Sequence, residues 1–152
     1  MRPIAERNAT VAFLILRLFS AQFWLLQVLG KARDQESGIT SLHNLGIWAK
    51  NTGDWMVKST PIPELAIRPF VTVLPFVELA LGVLLLIGLQ TRRALIVAAL
   101  TLVSLDVGLM CQLKHDIVAM NTIILLATIL AIYLEPANRW SVDSAIAGRR
   151  AK

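Results

Sequence analysis

Four long stretches of apolar residues divide this 152-residue chain. They cover residues 11–30, 69–89, 94–113 and 117–134. Because the hydrocarbon core of a bilayer is ~30 Å thick, a helix needs about 20 apolar residues to cross it. Every backbone amide in lipid must be hydrogen-bonded within its own segment, so each stretch is predicted to be a helix. The chain is therefore predicted to be an all-α membrane protein, a four-helix antiparallel transmembrane bundle that forms one domain over residues 1–152.

The composition supports the membrane class. Hydrophobic residues make up 56% of the chain and charged residues 16%, whereas a soluble domain has about 25% charged residues. The net charge is +5, but the basic residues stand mainly at the ends of the apolar stretches. The expected partner is therefore the lipid bilayer, and no nucleic acid is expected. With four spans the termini share a side, which carries eight Lys and Arg residues against six opposite, and this predicts cytoplasmic termini.

The first connection, from Lys31 to Arg68, is much longer than the other two. Within it, residues 39–58 carry apolar side chains at roughly helical spacing, together with Trp48 and Trp55. Tryptophan is enriched where a membrane meets water, so this insert is predicted to be a short amphipathic helix at the extracytoplasmic membrane surface. One interpretation is that Trp48 and Trp55 form a docking surface for another subunit.

Three ionisable residues lie inside the predicted spans: Arg17, Glu78 and Asp106. Inserting Arg or Asp into lipid costs about 2.5–3.5 kcal/mol, so these side chains are expected to face the interior of the bundle. At a rise of 1.5 Å per residue, Arg17 and Glu78 differ in depth by about 7 Å, which a long arginine side chain can largely cover. We predict an Arg17–Glu78 ion pair, either as a structural clamp or as part of a working site.

Span one carries a polar face that includes more than Arg17. Trp24, Gln27 and Lys31 follow Arg17 at i+7, i+10 and i+14, which places all four on one side of a helix. A tryptophan on this face is suited to flank a flat ring ligand. Asp106 lies off the corresponding polar face of span three, which runs from Thr101 to His115. Gln27 and Lys31 join Arg17, Glu78 and Asp106 as intramembrane candidates.

Two further polar candidates are Asn121, early in span four, and His115, just before it. Asn121 is expected to act mainly as an interhelical contact. His115 is expected to be solvated at the outer interface, with proton exchange beside a redox ligand as the alternative. The two histidines, His43 and His115, lie in different segments, and Cys111 is the one cysteine. The sequence therefore predicts neither a metal site nor a CxxC redox pair.

Several motifs resemble the DoxX family of small membrane proteins. They are "LRLFSAQFWLLQVLGKARD" in span one, "PFVELALGVLLLIGLQTRRAL" in span two and the loop after it, and "NRWSVDSAI" in the tail. The resemblance implies a four-helix protein of a bacterial or archaeal inner membrane. It also implies a link to quinone-dependent oxidation of sulfur compounds and to membrane complexes that manage oxidative stress. By this resemblance the candidate functional positions are Arg17, Lys31, Glu78, Arg92 and Asn121.

The first functional hypothesis is therefore a membrane subunit of a respiratory or other electron-transfer complex that contributes to a quinone site. Glu78, Arg17, Gln27 and His115 would supply the polar groups and Trp24 a wall, while a partner subunit would hold flavin, haem or iron–sulfur. Whether such a subunit is itself catalytic is left open. The alternative is an accessory subunit without chemistry that docks through the tryptophan-rich insert. A third alternative, ranked below these, is a small proton-coupled permease.

Overall fold

The computed structural model describes residues 4–34 and 37–150 and consists of helices joined by short connections. The helices are α1 (Ile4–Ala32), α2 (Leu42–Ser59), α3 (Glu64–Ile87), α4 (Thr91–Cys111), α5 (His115–Leu134) and α6 (Val142–Arg150). Within α1, α3, α4 and the segment that begins with α5, the helices are long and apolar enough to cross a membrane. The predicted all-α class with four spans is confirmed.

The start of α3 differs from the prediction. Pro69 is predicted to open span two, but α3 begins at Glu64, directly after Pro63, and Pro69 lies inside the helix. The charged residues Glu64 and Arg68 interrupt the apolar pattern here, so the predicted span does not include this first turn. Arg68 pairs with Glu64 four residues earlier and with Asp54 of α2 at 3.0 Å, and these pairs join the start of α3 to the preceding helix.

The connections between α3, α4 and α5 are tight reversals. Gly88 ends α3 in the left-handed conformation with φ 69°, and Gln90, with φ 49°, leads into α4. Between α4 and α5, Leu113 adopts a φ of 58°. Connections of three residues leave no room for a crossover, so α3, α4 and α5 follow one another as antiparallel neighbours.

Helix α1 packs against α3 and α5, and α4 packs against the same two helices, so each span has two neighbours in the bundle. The buried face of α1 includes Phe13, Ala21 and Trp24, which meet apolar side chains of the other spans. The contact between α1 and α3 is close at Gly82. A Cβ at that position would stand 2.7 Å from the Leu25 side chain, so only glycine lets the two backbones approach this far.

The predicted amphipathic helix over residues 39–58 is present as α2. Ser41 caps its start by accepting a hydrogen bond from the Asn44 backbone at 3.2 Å. The Asn44 side chain donates to the carbonyl oxygens of Ala32 and Ile39, at 3.0 and 2.9 Å. These bonds fix α2 to the end of α1. The helix then runs against α3 and α1, so one of its faces contributes to the interior of the bundle.

Candidate functional site

A cavity of about 210 Å³ lies among α1, α2, α3, α4 and the first turns of α5. Its lining combines aromatic rings with polar groups. The aromatic residues are Phe23, Trp24, Trp48, Trp55 and Phe70, and the polar ones are Gln27, Lys31, Thr52, Glu78, Ser104, Gln112 and Asn121. The predicted candidates Trp24, Gln27, Lys31, Glu78 and Asn121 therefore meet in one place. The cavity also receives Trp48 and Trp55, which the sequence analysis interprets as an external docking surface.

The charged centre of this cavity is an ion pair between Lys31 and Glu78. Lys31 Nζ donates to Glu78 Oε1, and the side chains are 12% and 1% exposed. The predicted Arg17–Glu78 pair is therefore wrong, although Lys31 belongs to the same predicted face of α1. Both charges are largely removed from water, so each one needs the attraction of the other to offset the cost of its desolvation.

Arg17 instead extends toward the far end of the bundle. Its guanidinium donates to Asn138 Oδ1 at 3.2 Å, and it lies against the backbone of Gly88, where a Cβ would collide with it. A long basic side chain reaches for the nearest polar environment. For Arg17 that environment is the end of α3, whereas Glu78 lies about 15 Å further along that helix. The depth of Arg17 in the bilayer, estimated from the sequence, does not indicate in which direction its side chain extends.

Aromatic rings enclose the ion pair on several sides. Trp24 is fully buried and meets Phe23 edge-to-face, with ring centroids 5.2 Å apart. From α2, the Trp48 ring lies 4.6 Å from Lys31 Nζ. Trp55 makes the same kind of contact with Lys114, at 4.4 Å. A cation over an aromatic face is attracted by the ring quadrupole, so these two contacts hold α2 against the bundle as well as shaping the cavity.

Three buried polar atoms of the lining have no hydrogen-bond partner among the described residues: Glu78 Oε2, Trp24 Nε1 and Gln112 Oε1. A buried polar atom without a partner costs about 1–3 kcal/mol, so such atoms are uncommon unless a bound molecule satisfies them. The set contains one N–H donor and two oxygen acceptors. It suits a ring that carries both a carbonyl to accept and a hydroxyl to donate.

Asp106 and Asn121 form a second buried contact, between α4 and α5. Asn121 Nδ2 donates to Asp106 Oδ1 at 2.7 Å, and Asp106 is buried. Asp106 therefore faces the interior although it lies off the predicted face of α4. Ser104 and Gln112 on that face do line the cavity. The structure places His115 outside the cavity, exposed at the first residue of α5.

The tail contributes a polar cluster around Asp143 that was not predicted from the sequence. Asp143 accepts hydrogen bonds from the backbone N–H groups of Gln90 and Thr91, each at 2.8 Å, and from the Thr91 hydroxyl at 2.8 Å. Asn138 adds a bond to Thr91 Oγ1 at 3.1 Å. Burial acts to raise the pKa of Asp143, but the bonds from Thr91 and Gln90 and the nearby charge of Arg17 outweigh it and lower this pKa.

The sequence signal for this cluster was the short motif around Asp143. Ser141 and Ser144 exchange backbone-to-side-chain hydrogen bonds at the start of α6, at 3.2 and 3.3 Å. This reciprocal arrangement is typical of a helix N-terminus. Helix α4 has no side-chain cap from its own N-cap residue. Asp143 of α6 takes that place by accepting hydrogen bonds from the backbone N–H groups at the start of α4. The tail motif therefore has a structural function at the α3–α4 reversal.

Within residues 4–34 and 37–150, no group of three or more His, Cys, Asp or Glu side chains is arranged to hold a metal ion. The cavity thus offers aromatic surface, one ion pair and unsatisfied hydrogen-bonding atoms, which is the chemistry of a small-molecule site. Comparison of the chain with protein-family models, with curated proteins and with solved structures finds no match.

Proposed function

We propose that this chain is a DoxX-like membrane subunit of a respiratory or other electron-transfer complex, and that its cavity binds the ring of a quinone. The observation that carries the proposal is the set of unsatisfied atoms in an aromatic cavity. Trp24 Nε1 can donate to a quinone carbonyl, and Glu78 Oε2 and Gln112 Oε1 can accept from a quinol hydroxyl. Flat rings are bound well between aromatic side chains such as Trp24 and Trp48.

Reduction of a quinone to a quinol takes up two electrons and two protons. This chain has one cysteine, so it lacks the four cysteine ligands that usually hold an iron–sulfur cluster. In the proposal the electrons come from a partner subunit that holds a flavin, haem or iron–sulfur centre. The role of this chain is to bind and orient the ring and to keep it beside the Lys31–Glu78 pair, whose groups can exchange protons.

We further propose that the protein lies in a bacterial or archaeal inner membrane with both termini in the cytoplasm. The excess of Lys and Arg at the end that carries the termini supports this orientation. The cavity then lies in the outer half of the bundle, beneath α2, and the cluster around Asp143 lies at the cytoplasmic end. Electrons would reach the ring from a partner on the extracytoplasmic side.

Tryptophan fluorescence tests the proposal, because quinones quench nearby indole rings. Three tryptophans line the cavity, while Trp140 is exposed and outside it. In nanodiscs, the Trp140→Phe variant should show saturable quenching by a short-chain quinone. A variant with phenylalanine at positions 24, 48 and 55, which keeps only Trp140, should show only the linear quenching that comes from partition into lipid. Linear quenching in both variants would refute quinone binding in the cavity.

A structural accessory role is the second candidate, and exposed apolar side chains of α2 favour it. Leu42 and Ile47 are 80% and 47% exposed. In that case serine at both positions should release a copurifying complex, while the triple phenylalanine variant at positions 24, 48 and 55 should retain it. The reverse pattern would favour the quinone proposal.

A further inference from the structure

The cavity is too small to hold a long-tailed molecule. Its volume is about 210 Å³, whereas sites that enclose a drug-sized ligand span about 300–1,000 Å³. One substituted ring fills such a space. Any apolar tail attached to that ring must leave the cavity, so the direction in which the cavity opens indicates the kind of ligand that it takes.

A second cavity of about 370 Å³, which we name the α1–α5 cleft, adjoins the first. The two share four lining residues: Phe23 and Gln27 of α1, and Ile117 and Asn121 of α5. We name these four residues the neck between the first cavity and the cleft. Gln27 is exposed, and exposed side chains change rotamer within nanoseconds, so the wall that the two cavities share is not rigid.

The cleft is open toward the surroundings of the bundle. Phe19, Leu26 and Met120 line it and are 44%, 55% and 70% exposed. All three stand on helices that are long and apolar enough to cross a membrane, so in a bilayer they face lipid chains. The cleft is thus an apolar groove that leads from the hydrocarbon to the neck.

The neck itself carries polar groups on that path. Gln27 makes no hydrogen bond with any residue that the structure describes, and Asn121 uses its amide N–H group on Asp106. An amide beside hydrocarbon is unfavourable unless it finds a partner. A ring carbonyl at the neck would provide one for Gln27. The arrangement therefore matches a ligand with a polar ring inside the neck and an apolar chain outside it.

We infer that the ligand is a membrane-soluble quinone with a long isoprenoid-type tail, that it enters from the bilayer between α1 and α5, and that its tail rests in the α1–α5 cleft. This inference rests on the proposed function, because the ring occupies the same cavity. It adds the substrate class and the route: water-soluble ring compounds without a tail are not the natural ligand.

A quinone analogue with a photoreactive diazirine at the end of its tail tests the inference in proteoliposomes. After illumination, mass spectrometry should find adducts on residues 19–26 of α1 and 117–124 of α5. An excess of the ring without a tail should abolish these adducts by competing in the cavity. A diazirine-bearing isoprenoid alcohol without the ring should label the lipid-facing helices broadly, and the ring compound should not affect it.

A blocked cleft supplies the matched variant. Met120 lines the cleft but not the first cavity, so Met120→Trp should weaken binding of the long-tailed quinone roughly tenfold, about 1.4 kcal/mol, while leaving binding of the tail-less ring near its original level. Leu126→Trp, on the same helix and 61% exposed but outside the cleft, should change neither. Retained ring binding also shows that the Met120 variant is folded.

The outcomes separate the two proposals. Saturable tryptophan quenching together with scattered, uncompeted tail adducts would overturn the inference and leave the proposed function standing. Equal labelling of the cleft by the ring-free isoprenoid, competed by neither compound, would show that ordinary lipid chains occupy it and would also overturn the inference. Absence of saturable quenching would refute the proposed function itself.

Discussion

The Lys31–Glu78 pair gives the sharpest energetic prediction. Glu78 is 1% exposed and Lys31 12% exposed, so either residue alone would be a buried charge without its partner. Removing one member of a buried ion pair costs about 3–5 kcal/mol, whereas replacing both by apolar residues of similar size is often neutral. Lys31→Met and Glu78→Leu should therefore each destabilise the bundle by about 3 kcal/mol. The double variant should lie within about 1 kcal/mol of wild type, so the coupling energy should be about 5 kcal/mol.

The free energy of unfolding can be measured in bicelles by steric trapping or by titration with a denaturing detergent. Arg17→Met is the matched control, because Arg17 lies on the same face of α1 and also carries a buried charge. Its effect should add to that of Glu78→Leu with a coupling below about 0.5 kcal/mol. If Lys31→Met and Glu78→Leu proved additive while Arg17→Met coupled to Glu78→Leu, the assignment of the pair would be refuted.

Two further predictions concern packing and the tail. Gly82→Ala should destabilise the bundle by about 1–3 kcal/mol, because its Cβ would stand 2.7 Å from Leu25. Gly30→Ala, with nothing within 4 Å, should be neutral or stabilise by up to about 1 kcal/mol; equal losses would exclude the close contact. For Asp143, whose pKa is lowered from 3.8, the stabilisation is fully present above that value and is lost as the pH falls below it. Wild type should therefore be more stable than Asp143→Asn at about pH 6 and approach it in acid, and a difference that does not depend on pH would contradict the assigned contacts with Thr91.

Much of the fold could be predicted because the bilayer imposes length and polarity on each span. The predicted span over 117–134 and the observed α5, His115–Leu134, differ by two residues at one end and none at the other. The insert, predicted over 39–58, was visible because its apolar residues recur at helical spacing. Its N-terminal limit moved to Leu42, since Ser41 caps the helix there. Two helices begin well before their apolar runs: α1 at Ile4 instead of residue 11, and α3 at Glu64 instead of residue 69.

The contacts of the candidate site were harder to predict. Helical periodicity correctly placed Arg17 and Lys31 on one face of α1, but it does not say in which direction a long side chain extends. Arg17 contacts Gly88 at the end of α3, whereas Lys31 contacts Glu78 in the middle of that helix, so the partner of Glu78 depended on tertiary packing. The depths estimated from the sequence were compatible with an Arg17–Glu78 pair, because the error of such an estimate is about as large as the reach of an arginine side chain.

The positions of α2 and the tail also depended on tertiary contacts. Trp48 and Trp55 have the pattern of interfacial anchors, yet their rings contact Lys31 and Lys114. The direction in which α2 folds back is set by the hydrogen bonds of Asn44 to the loop and to the end of α1. Such long-range contacts leave no periodic signal in the chain.

The central claim is that the aromatic cavity around Lys31 and Glu78 binds a quinone ring. Photo-crosslinking with a quinone that carries an azide on the ring, followed by peptide mass spectrometry, tests this claim most directly. We predict adducts on residues 23–31 of α1 and 48–56 of α2 that an excess of unmodified quinone removes. Adducts confined to the lipid-facing residues of α4 and α5, or adducts that unmodified quinone does not remove, would contradict it.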